Sequence, residues 1–113
     1  FNHQCSIWAR ETKDNFKWLV DHTLEMFTER MYRWPESKEH FTKTFIEWCG
    51  KNIHNTIMSK TGLTNYAVAI SDDCDCRKVE GFDNLSTIDK YREYIRHDKD
   101  FATWTLRWRP TWY

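Results

Sequence analysis

Three glycines and two prolines among 113 residues leave this chain few places to turn sharply. Gly and Pro are the main breakers of regular structure, so their scarcity predicts continuous elements joined by few special turns. Seven Trp, seven Phe and five Tyr accompany that scarcity and supply large apolar surfaces. Each ring that becomes fully buried contributes about 1.5–3 kcal/mol relative to exposure. The expectation is a mainly α chain: a small single-domain helical bundle with a tryptophan-rich core, an irregular middle and an aromatic C-terminal tail. The chain is long enough for one real core, and disorder is a poor reading of so many bulky residues.

Helix signals fall at identifiable points. Ser6 can cap a short opening turn. Thr12 reads as an N-cap for a helix over 12–33, with Asp14 favourable near the positive end of its dipole. Trp18, Leu19, Met26, Phe27 and Met31 recur at helical spacings, and Trp34-Pro35 stops the run because a residue before proline resists the helical region. A second helix is predicted over 36–49 from Phe41, Phe45, Trp48 and Cys49, with Gly50 as its C′ residue. A shorter helix or turn holds Ile53, Ile57 and Met58. Residues 63–70 are strand-like, through Leu63, Tyr66, Val68 and Ile70, or an extended loop over the core. Ser86 and Asp89 form a capping box for a helix over 87–97, with Ile88, Tyr91 and Ile95 inward. The tail, 101–113, carries Trp104, Leu106, Trp108 and Trp112, which are expected to pack on the body rather than face solvent.

Charge narrows the partners. Lys plus Arg equals Asp plus Glu, 17 each, so the chain as a whole does not attract nucleic acid, although a local basic patch can. Neutrality also leaves room for self-association, and the oligomeric state stays open. Cys5, Cys49, Cys74 and Cys76 lack a dense secreted framework. They read as reduced thiols of a cytoplasmic protein. Two alternatives stay open for Cys74-x-Cys76: a disulfide, or a share of a zinc site completed by Cys5, Cys49 or His54. No metal and no cofactor is expected, and no apolar run reaches membrane-spanning length.

Candidate chemistry gathers on the first long helix. His22, Glu25 and Glu29 lie three and four residues apart, and Arg33 continues their stripe. Such a set can grip phosphate through the forked arginine and move a proton through a carboxylate, or it is a solvated face laced by ion pairs. His3, Arg10 and Glu11 form a second cluster that reaches a ligand or ties down the terminus. Neither matches a zinc-protease motif, a P-loop or a dinucleotide fingerprint. In the tail, Trp108 and Trp112 can stack on a flipped or single-stranded base while Arg107 and Arg109 hold phosphates, or all four serve packing.

The ordered islands Asn2-His3-x-Cys5, Trp8-Ala9-Arg10-Glu11, Asn15, Trp18-Leu19, Glu29-Arg30-x-Tyr32-Arg33, Tyr91-Arg92-x-Tyr94, Phe101-Ala102-x-Trp104 and Arg109-Pro110-x-Trp112-Tyr113 resemble a largely uncharacterised family of small proteins carried by tailed bacteriophages and some bacteria. The resemblance spans nearly the whole chain but is poor from Trp34 to Glu80. Family members usually carry a further N-terminal segment with an Asp-Lys-His motif, so the chain, which opens on Phe1, is expected to lack that piece. They also carry a Tyr-Arg-Tyr-Gly turn where this chain has Tyr32-Arg33-Trp34-Pro35, and a proline-rich middle that it lacks. The closing Arg109-Pro110-Thr111-Trp112-Tyr113 is remotely similar to phage pyrimidine-dimer DNA glycosylases. That similarity implies base flipping, attack on the sugar by an N-terminal amine, and Glu25 or Glu29 as the assisting acid or base.

The leading expectation is a phage-associated, DNA- or nucleotide-directed protein with glycosylase-like activity. His22, Glu25 and Glu29 would be catalytic, and His3, Arg10, Arg33 and Arg109 would bind phosphate or ligand. Two competing expectations are a non-enzymatic interaction protein that binds a host or phage protein complex through Trp108 and Trp112, and a small structural subunit.

Overall fold

The computed structural model describes residues 2–113. Helices dominate, and no strand occurs among the described residues. The mainly helical class expected from the sequence is the class the chain adopts. Its helices are α1 (Gln4–Glu11), α2 (Lys13–Arg33), α3 (Lys43–Asn52) and α4 (Thr87–Asp98). Contacts divide the chain into two compact units, one of Asn2 and Ser6–Thr64, the other of His3–Cys5 and Asn65–Tyr113.

In the first unit, α2 begins where local chemistry says it should. Thr12 is extended, and its hydroxyl accepts the Asn15 N–H at 3.0 Å. A cap of this kind stabilises a helix by about 1 kcal/mol. The helix closes at Trp34, whose N–H donates to the Arg30 carbonyl at 2.9 Å just before Pro35. The loop that follows α3 returns to this start. Lys13 N donates to Lys60 O at 3.0 Å, the Thr12 hydroxyl donates to Gly62 O at 2.8 Å, and Gly62 N donates to the Asp14 carboxylate. Gly62 sits at φ +94°, where a side chain would be strained.

Three expectations for this unit change. The opening turn at Ser6 is a full helix, α1. The helix expected at 36–49 is displaced to Lys43–Asn52. Residues 35–42 form turns instead, with the Ser37 hydroxyl donating to Trp34 O at 2.7 Å and His40 Nδ1 2.8 Å from the Thr42 hydroxyl. These short polar side chains hold local, non-helical bonds that compete with the helix. Gly50 lies inside α3 rather than after it. A Cβ at Gly50 would stand 3.3 Å from Val20 Cγ1, so the missing side chain lets α3 approach α2 closely. Residues 53–55 then make one 3₁₀ turn.

That close approach also explains why the ring-rich core is not what forms. It turns the stripe of Ile46, Cys49 and Gly50 inward and leaves Phe45 and Trp48 on the flank, 62% and 60% exposed. Among the tryptophans Trp8 is buried, whereas Trp34 and Trp108 stand 50% and 96% exposed. Leu19 and Met26 of α2 are exposed as well. The buried residues of this unit are Trp8, Ala9, Thr12, Asn15, Val20 and Cys49, a mixed rather than an oily set.

The second unit packs around Ile70, Cys76 and Phe82, flanked by Val68, Val79, Leu85, Tyr91 and Tyr94. Residues 63–70 form no strand. In place of a strand partner, the Tyr91 hydroxyl takes the Ala69 N–H and gives its proton to Ala67 O, both at 2.9 Å. The Thr87 hydroxyl reaches Tyr66 O, and the Arg77 guanidinium reaches Ile70 O. Extended backbone is thereby satisfied by side chains. Ser86 caps α4 as expected, accepting the Asp89 N–H at 3.1 Å. Tyr91 and Ile95 are half-buried, but Ile88, expected inward, is 52% exposed.

Candidate functional site

The expected catalytic stripe on α2 holds one ion pair between its own members. Glu29 Oε1 accepts Arg33 Nε at 2.7 Å, an i,i+4 ion pair with both side chains partly exposed. His22 is exposed and lies flat against Trp18, ring centroids 4.7 Å apart at 10°. Glu25 is exposed on the same helix. His3 is exposed and accepts the Cys5 N–H on its own Nδ1 at 3.2 Å. The Glu29–Arg33 pair is worth about a few tenths of a kcal/mol to the helix.

Arg10 is the candidate that lines a cavity. It stands at the C-terminal end of α1 beside an open cleft of about 620 Å³ in the first unit. Phe16 of α2, Trp48 and Asn52 of α3, Asn55 and Thr56 are among the residues that line it with Arg10. His22, Glu25, Glu29 and Arg33 are not part of that wall. Asn52 Nδ2 donates to Trp48 O at 2.9 Å, and Asn55 Nδ2 to Asn52 Oδ1 at 3.5 Å, so the two carboxamides are held in series. The Thr56 hydroxyl oxygen is buried without a hydrogen-bond partner among the described residues. Such an orphan costs about 1–3 kcal/mol. Sequence reasoning named neither Asn nor Thr56; they converge only because the 3₁₀ turn at 53–55 folds the chain back after α3.

The second unit carries the other candidate surface. Three turns shape the tail: Ala102 N to Lys99 O, Arg107 N to Trp104 O, and Tyr113 N to Pro110 O, at 2.9–3.1 Å. Leu106 adopts φ +57° to close the middle one. Trp104 meets Trp112 and Tyr113 edge-on, at 6.3 and 5.2 Å. The Trp112 carbonyl accepts Arg96 Nε, and the Arg92 guanidinium lies 5.6 Å from the Trp112 ring. Trp112 is therefore packed, as expected of the tail, whereas Trp108 is not: it projects 96% exposed between Arg107 and Arg109. Arg109 stacks on Tyr113 at 4.6 Å, which holds its guanidinium beside that ring. No carboxylate side chain occurs in residues 101–113.

The cysteines are free thiols, Cys5 exposed and Cys76 fully buried. Burial, then a hydrogen bond and repulsion from the Asp98 carboxylate, push the Cys76 thiol up to about 11. Among the described residues no group of three His, Cys, Asp or Glu side chains gathers as a metal ion needs, and no helix is long and apolar enough to cross a membrane. No known family, characterised protein or solved structure matches the chain.

Proposed function

We propose that this is a nucleic-acid-binding protein that grips single-stranded DNA or RNA by stacking a base on Trp108 while Arg107 and Arg109 neutralise flanking phosphates. The observation that carries the reading is the Trp108 ring, almost wholly in solvent on a segment with two arginines and no acidic side chain. Every base offers a π-face, so stacking tolerates sequence, and each stacked base is worth about 1–3 kcal/mol. Such a contact does not require net positive charge, because the attraction is confined to one patch. In this proposal the protein works in the cytoplasm of a phage-infected host, and base excision assisted by Glu25 or Glu29 is its catalytic extension.

Titration of a fluorescent oligothymidylate with the protein across a salt series tests it. Two phosphate contacts to a single strand give a log–log salt slope of about −1.4. Trp108→Ala weakens binding by about tenfold or more, and Arg107→Gln with Arg109→Gln flattens the slope. Absence of binding at low salt overturns the reading. Release of a base or nicking of ultraviolet-damaged duplex, lost in Glu25→Gln or Glu29→Gln, is the readout for the extension.

A second reading, a non-enzymatic partner of a host or phage protein complex, is favoured by Phe41 and Phe45, 88% and 62% exposed in the first unit. It predicts a photo-crosslink from position 41 to one defined protein that survives Trp108→Ala.

A further inference from the structure

We infer that the open cleft of the first unit is a small-molecule site for an uncharged, flat aromatic lactam, a fused ring system that carries an N–H beside a C=O. This goes beyond the nucleic-acid reading and uses none of its residues. The cleft volume, about 620 Å³, lies in the range of small-molecule sites. Phe16, Trp48, Cys49, Ile57 and Met58 give it a chiefly apolar lining. Two of these side chains are aromatic, and the sulfur atoms of Cys49 and Met58 are polarisable, which suits contact with a ring. Moving an apolar ring system out of water into such a lining is favourable, whereas a charged group has to be paired to enter it.

Carboxamides narrow the ligand class further. Arg10 also lines the cleft but is already engaged by a partner within the protein, and the Thr56 hydroxyl oxygen is buried. Asn52 and Asn55 remain. Asn52 is committed, since its Nδ2 donates to Trp48 O at 2.9 Å and its Oδ1 accepts Asn55 Nδ2 at 3.5 Å. Asn55 is exposed, and its Oδ1 and second Nδ2 hydrogen have no partner among the described residues. That carboxamide therefore offers one acceptor and one donor to a ligand. A lactam edge answers both, its N–H donating to Asn55 Oδ1 and its C=O accepting from Asn55 Nδ2. A carboxylate lacks the donor, and a plain hydrocarbon ring lacks both groups. A few placed polar groups on an apolar wall are the usual means by which such sites select one orientation.

Three fused-ring probes of similar size test the inference: 2-quinolone, its N-methyl derivative, in which the donor is blocked, and anionic 2-naphthoate. Each is titrated into the full chain while the backbone and the Asn52 and Asn55 side-chain amide resonances are followed. The quinolone is expected to saturate and to shift the Asn55 amide, with the N-methyl derivative weaker by about fivefold, the value of one hydrogen bond. Naphthoate is expected to bind more weakly than the quinolone. Asn55→Ala, a change at an exposed position, removes the preference for the quinolone over its N-methyl derivative, and circular dichroism establishes that the variant is folded. Trp48→Ala, also at an exposed position, weakens both quinolones together. Equal affinity for the two quinolones, a preference that survives Asn55→Ala, tightest binding of naphthoate, shifts confined to the second unit, or no saturation by the quinolone overturns the inference.

Discussion

Asn15 and Thr64 hold each other twice: the Thr64 N–H donates to Asn15 Oδ1 at 2.9 Å, and Asn15 Nδ2 donates to the Thr64 hydroxyl at 2.8 Å. Asn15 is fully buried, and the same Nδ2 also donates to Trp8 O at 2.9 Å. One carboxamide thus ties the end of α1, the start of α2 and the returning loop. Asn15→Ala removes three hydrogen bonds that tie these segments together. The expected loss is about 3 kcal/mol, read as a lowered urea midpoint of the first unit. A loss below 1 kcal/mol, about the value of one ordinary hydrogen bond, would contradict this role.

Gly50→Ala is expected to gain nothing, although alanine favours a helix interior over glycine by about 1 kcal/mol. The new Cβ would meet Val20 Cγ1 at 3.3 Å, and Val20 is 3% exposed with a β-branched side chain locked in one rotamer. Pairing Gly50→Ala with Val20→Ala removes the obstruction. A double-mutant cycle should then show a favourable coupling of about 0.5–1 kcal/mol. Simple additivity would mean that α2 and α3 do not meet at this point.

How much of this was legible depends on the reach of each signal. The start of α2 was legible because its cap lies three residues from its partner, and its end because proline acts on the residue before it. Asn15 was not, because its partner lies 49 residues away and nothing local announces it. Phe41, Phe45 and Trp48 had the right period, but periodicity reports a shared face, not whether that face is covered. The segment 63–70 had strand-like alternation, and the Tyr91 hydroxyl supplied bonds that a neighbouring strand would have made. The stripe of His22, Glu25, Glu29 and Arg33 was correctly placed on one helix face. An i,i+4 ion pair such as Glu29 with Arg33 was one of its two readings, whereas the stacking of His22 on Trp18 emerged only with side-chain geometry. The short turn at 53–55 was legible, but that it sets Asn55 and Thr56 across from Arg10 was not, because those residues lie about 45 positions apart in the chain.

Thiol chemistry should separate the cysteines by exposure. Reaction with a disulfide reagent near pH 8 is expected to label Cys5 promptly and leave Cys76 untouched until the chain unfolds. Cys76 is fully buried with its thiol pushed to about 11, so almost no thiolate is present. Rapid native labelling of Cys76 would contradict the packing around Ile70 and Phe82.

Acid should loosen the second unit through Asp98. Burial pushes this carboxyl up, but the backbone N–H groups of Cys76 and Asp75, at 3.0 and 2.7 Å, outweigh it and hold it below the usual aspartate value. The folded value lies below the unfolded one, which is about 3.9. The stabilisation is therefore present above that pH and fades as pH falls through the folded value. Asp98→Asn is expected to lower stability at neutral pH and to flatten its decline in acid, measured as urea midpoints from pH 6 to pH 2. An unchanged acid profile would remove Asp98 from this role.

The solvent-facing rings of Phe41, Phe45, Trp48 and Trp108 carry a calorimetric signature. Apolar surface already hydrated in the native protein adds nothing to the heat absorbed per degree when the chain opens. The heat-capacity increment should fall below the roughly 1.5 kcal/mol/K usual for a chain this long, giving a transition enthalpy that rises less steeply with temperature.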